Sequence, residues 1–150
     1  MQCTLEKKVE IRGIGLHSGC DSLLIIEPAP ENHGIQFIRS DLNEKPIRAL
    51  YSNVVDLRNC TCIGLSPKNI VSTIEHLMAV LNVIGIDNAT ITVNNPEIPI
   101  LDGSGKIFWE ILKKETLKKQ SAKRKILKVK KEQRERSRDV TTLFGVLDVQ

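Results

Sequence analysis

The sequence predicts an α+β fold: a mostly antiparallel sheet with two helices on one face. Three observations lead there. Short apolar runs, several with two-residue alternation, are separated by Gly- and Pro-rich turns, as in strands joined by tight connections. One ten-residue segment, Ser72 to Leu81, carries apolar residues at helical spacing. A second short helical pattern follows Asp102-Gly103-Ser104-Gly105. Several antiparallel strands with two helices covering one face of the sheet make an α+β architecture.

Cys3 to Ile11 alternates polar and apolar residues and reads as one strand with a buried face. Gly13-Ile14-Gly15-Leu16-His17-Ser18-Gly19 then turns the chain. Its G-x-G-x-x-x-G spacing is wrong for a dinucleotide loop, and the Leu23-Leu24-Ile25-Ile26 run after it is a strand instead of a helix, so a hairpin is expected. Pro28 to Gly34 is a second turn and Ile35 to Arg39 a further strand. Pro46 to Val55 is mixed, and Asn59 to Leu65 reads as a strand bearing Cys60 and Cys62. Ser66-Pro67-Lys68-Asn69 breaks the chain before the central helix. Gly85 suits a left-handed helix cap, and Ala89 to Val93 is strand again. Two prolines, Pro96 and Pro99, bar the next stretch from the middle of a sheet. Asp102 reads as a structural cap for a helix over Lys106 to Lys114, with Ile107, Phe108, Ile111 and Leu112 inward.

The length of 150 residues, 41% of them hydrophobic, suits one domain with a real core. The N-terminus lacks a basic region followed by an apolar run, and no stretch approaches about 18 apolar residues, so a cytoplasmic location is expected, with neither signal peptide nor membrane span. Four cysteines at irregular spacing fit reduced thiols better than a disulfide framework or zinc ribbon. The net charge of +4 is divided unevenly: residues 113–138 hold 13 Lys or Arg against 3 Glu, whereas residues 1–112 hold 9 against 13 Asp or Glu. A basic tail can meet phosphates, but this one has no interleaved aromatic for stacking, and a nucleic-acid partner is not expected.

Chemistry concentrates at Glu75 and His76. Ile74, Leu77, Met78 and Leu81 form the inward stripe, which leaves Glu75 and His76 on the opposite face with Ser72 and Ala79. An acid beside an imidazole suits a metal ligand plus a base for metal-bound water. The competing structural account is a capping box, Ser72-x-x-Glu75, with His76 a half-buried histidine. Neither H-E-x-x-H nor H-x-x-E-H is present. His17, at the tip of its turn, is placed to meet a ligand or is simply a turn residue.

Four segments taken in order carry a resemblance: Gly13 to Gly19, Glu27-Pro28-Ala29-Pro30, Ser72 to Leu77, and Gly85-Ile86-Asp87-Asn88 leading into Asn95 to Ser104. Together they resemble the first half of UDP-3-O-acyl-N-acetylglucosamine deacetylase, a zinc amidase of lipid A biosynthesis. The resemblance implies the first of two similar α+β domains whose helices sandwich the active site. It makes His76 a zinc ligand and Glu75 the general base, and places Cys60 near the metal site. Cys60 and His17 are then candidates for the substrate pocket. Zinc in such a site lowers the pKa of its bound water and polarises the acetamide carbonyl. The implied substrate is a UDP-linked acylated glucosamine. The family's remaining ligands, a His and an Asp, together with its catalytic lysine and second histidine, belong to the second domain, and no histidine follows His76. The expected organisation is therefore a deacetylase-like first domain over residues 1–119 and a basic junction with a divergent tail over 120–150, the second domain being absent. The sequence then presents three readings: a deacetylase half needing a chain that supplies the second domain, a non-catalytic truncated remnant, and a nucleic-acid-binding tail.

Overall fold

The computed structural model describes residues 1–125 together with the backbone of Leu127–Arg136 and Thr141–Val149. The strands in chain order are β1 (Cys3–Leu5), β2 (Val9–Ile14), β3 (Asp21–Pro28), β4 (Ile35–Arg39), β5 (Ile47–Arg48), β6 (Val54–Asp56), β7 (Cys62–Gly64), β8 (Ile70–Val71), β9 (Ala89–Val93), β10 (Leu117–Lys119), β11 (Leu127–Arg136) and β12 (Thr141–Val149). Helices α1 (Glu75–Ile84) and α2 (Lys106–Leu112) complete the α+β architecture.

The main sheet has the order β2-β3-β9-β4-β5. All its pairs are antiparallel except β4 with β9. Alternation along β3 and β9 sends Leu24, Ile26, Ile91 and Val93 to one face, where Leu24 lies opposite Val93 and Ile26 opposite Ile91. That face shares one core with Leu77 and Leu81 of α1 and Phe108 and Leu112 of α2. Full burial of each such side chain is worth about 1.5–3 kcal/mol, so the helices are held by their inward stripes. The helices approach closely where α2 begins: a Cβ on Gly105 would stand 3.0 Å from Val80 Cγ2.

Two of the expected strands change. The strand expected over Cys3 to Ile11 is two strands, because the charged run Glu6-Lys7-Lys8 bends the chain between two partners. β1 pairs with β10 and β2 with β3. The expected strand over Asn59 to Leu65 shrinks to β7, which carries Cys62 alone, while Cys60 lies in the loop before it. β7 is the centre of a small second sheet, β6-β7-β8.

Residues 120–125 run alongside the chain's beginning. Gln120 N–H donates to Gln2 O, Gln2 N–H donates to Ala122 O, and Arg124 pairs with Asp87 at 2.7 Å. The backbones of β11 and β12 form an antiparallel pair. The side chains of the basic tail beyond Lys125 lie outside the described residues, so the reading of that tail as a phosphate-binding element does too. Among the described residues no helix is long and apolar enough to cross a membrane.

Candidate functional site

Helix α1 begins three residues later than the apolar pattern suggests, and the reason lies in Ser72 and Thr73. Ser72 is drawn into a parallel bridge with Glu97: its N–H and hydroxyl both donate to Pro96 O, and Ile98 N–H donates to Ser72 O. Thr73 then takes a positive φ of 63°, a rare conformation for a β-branched residue. The chain turns sharply there and enters the helix at Glu75.

The capping box is consequently not formed. The cap position of α1 is Ile74, with no side-chain cap bond, and the Ser72 hydroxyl is committed to Pro96. Glu75 instead reaches sideways: its Oε2 accepts the Thr61 N–H at 2.9 Å, tying α1 to the loop that carries Cys60. Its other oxygen, Oε1, accepts no hydrogen bond among the described residues and lies 3.9 Å from His76 Nε2. Both side chains are about one-third exposed, 36% for Glu75 and 30% for His76. The pair thus stays partly open to solvent, with one carboxylate oxygen fixed and one available among the described residues.

His17 and Cys60 meet across a cleft of about 330 Å³, lined also by Asp56, Arg58, Asn59, Cys62, Ile70 and Ser72. Ser72 and the Glu75–Thr61 bond place this cleft beside the start of α1; His76 is not among its lining residues. Burial pushes the Cys62 thiol above its ordinary pKa, with the neighbouring Cys60 and Asp56 adding to the effect. Asp102 accepts the Ser104 N–H and hydroxyl, and the Ser104 hydroxyl accepts the Lys106 N–H at the start of α2. Asp102 therefore acts on the helix through Ser104.

Sequence reasoning missed Glu97. This carboxylate is 2% exposed and accepts the His17 N–H at 3.0 Å, the Ser18 N–H at 2.7 Å and the Thr73 hydroxyl at 2.7 Å. Burial alone would raise its pKa, but the bonds from Ser18, His17 and Thr73 outweigh that and hold it at about 2. Flanking prolines marked the segment as irregular, and nothing local signalled a buried acid.

A sequence model of the LpxC family, UDP-3-O-acyl N-acetylglycosamine deacetylase, matches residues 2–145. The chain belongs to this deacetylase family. Among similar proteins, the UDP-3-O-acyl-N-acetylglucosamine deacetylase of Helicobacter pylori (strain J99 / ATCC 700824) is 42% identical over 130 residues, covering 86% of this chain and 43% of the relative. The protein of the same name from Shewanella sp. (strain ANA-3) is 44% identical over 131 residues, covering 87% and 43%. The chain spans under half the length of these curated relatives.

The family resemblance implies zinc, and the donor set bears on that directly. A catalytic zinc usually takes three protein ligands. Among the described residues no three His, Cys, Asp or Glu side chains converge to hold an ion. His76 offers one nitrogen. The described residues alone do not fit a zinc ion.

Proposed function

We propose that this chain contributes the Glu75–His76 half of a zinc-dependent site that hydrolyses the N-acetyl group of UDP-3-O-acyl-N-acetylglucosamine. In this reading residues 1–119 are the first domain of the deacetylase, and residues 120–150 are the junction that leads away from it. The remaining ligands come from the part of the family's length that this chain does not span, in the same or another polypeptide. The observation that carries the reading is the state of Glu75: Oε2 is anchored by Thr61, while Oε1 accepts no hydrogen bond among the described residues and lies 3.9 Å from His76 Nε2. A general base needs an oriented carboxylate with a lone pair free to take a proton. His76, on the next position of the same helix turn, is placed to offer a ring nitrogen to a metal beside that oxygen. The cleft between His17 and Cys60 is where the sugar substrate would enter. Four free cysteines agree with a cytoplasmic setting.

Zinc content tests this reading. The purified 150-residue chain is expected to hold well under one zinc per chain, and His76→Ala is expected to abolish what it holds. About one tightly held zinc per chain, whether lost or kept on His76→Ala, would overturn it.

A further inference from the structure

Glu97 joins parts of the chain that are far apart in sequence. Its carboxylate holds the β2–β3 turn through the His17 and Ser18 amides, and it holds the entrance to α1 through the Thr73 hydroxyl. Its own carbonyl accepts the hydroxyl of Ser22, which is fully buried on β3, and its N–H donates to Asn95 Oδ1. Gly15 leaves the space the carboxylate occupies: a Cβ there would stand 2.5 Å from Glu97 Oε2. Thr73, the residue the carboxylate grips, is the one with the positive φ that turns β8 into α1. Such strain persists only where surrounding bonds enforce it.

We propose that Glu97 is a positioning residue that clamps the His17 turn to the first turn of α1 and so fixes where His17 stands relative to Glu75 and His76. It touches neither member of the pair; it acts through Thr73 on one side and the turn amides on the other. The proposal relies on the deacetylase reading only for calling Glu75–His76 the reactive pair. The clamp stands on its own geometry.

Amide resonances and hydrogen exchange of the full chain test it. In Glu97→Gln, the side-chain NH₂ opposes donors where a carboxylate accepted them, so the His17 and Ser18 amides are expected to exchange at least about tenfold faster, while β3 and β9 amides keep their parental rates. The resonances of Thr73 to His76 are expected to shift in the same spectrum, which a role confined to the turn would not produce. Thr73→Val, which removes one donor and keeps the carboxylate, is expected to shift Glu75 and His76 while His17 and Ser18 stay protected. This keeps the test decisive should Glu97→Gln fold poorly. Glu75→Gln is expected to leave the His17 and Ser18 amides unchanged, so failure of the deacetylase reading is distinguishable from failure of the clamp. Unchanged exchange at His17 and Ser18 in Glu97→Gln, or, in both variants, no perturbation reaching Glu75 and His76, would overturn the proposal.

Discussion

Two glutamates on this chain, 22 residues apart, have opposite surroundings. Glu97 is buried, receives three hydrogen-bond donors and is held ionised down to about pH 2. Glu75 is about one-third exposed and, among the described residues, receives one donor and keeps an oxygen free beside His76. A carboxylate whose oxygens are both bonded fixes structure, because every donor it loses must be left unpaired in the interior. A carboxylate with one oxygen anchored and one free is oriented yet still basic, which is the condition for chemistry. Stability should therefore depend far more on Glu97 than on Glu75, and substitutions can separate the two.

The largest effect on folding is expected for Glu97→Ala, which strands two turn amides and the Thr73 hydroxyl and should cost roughly 3–5 kcal/mol in urea denaturation. A loss under about 1 kcal/mol would break the contrast between the two acids. Acid should act on the same residue. Its folded pKa of about 2 lies below the ordinary value of 4.5, so its contribution is complete above about pH 4.5 and is lost as pH falls through 2. A depression of this size corresponds to about 3 kcal/mol. Denaturation midpoints measured from pH 6 down to pH 2 should show this loss in the parent and a flatter profile in Glu97→Gln.

Gly15→Ala sharpens the contrast from the other side. The new methyl meets a carboxylate that three bonds hold in place, so a loss of about 2 kcal/mol is expected in thermal or urea unfolding. The smallest effect belongs to the proposed pair. Glu75→Gln and His76→Ala, both at a half-exposed helix face, should change stability by no more than about 0.5 kcal/mol. A loss of several kcal/mol at His76 would mark it as a structural histidine.

The contrast also explains what was legible in the sequence. Helical spacing finds α1 and its buried Leu77 and Leu81, with Ile74 buried at the cap and Met78 partly buried against the core, since burial of a stripe is written in the local pattern. The start of α1 is not written in the local pattern, because the bonds that hold Ser72 and Thr73 out of the helix come from residues 96–98, over 20 positions away. The break between β1 and β2 is hidden for the same reason: the partner of β1, Leu117–Lys119, lies more than 100 residues downstream. Glu75 and His76 stood out as an adjacent pair with mutual chemistry. Glu97 did not, because a single acid between prolines has no local sign of the turn, the helix entrance and the strand that converge on it.

The most direct test of the account is acetate release from UDP-3-O-acyl-N-acetylglucosamine by this chain combined with a polypeptide carrying the family's other domain. The account predicts release from the combination and little from this chain alone, with Glu75→Gln in this chain slowing release by about 100-fold or more at unchanged fold. No release from the combination, or release at the parental rate with Glu75→Gln, would contradict it.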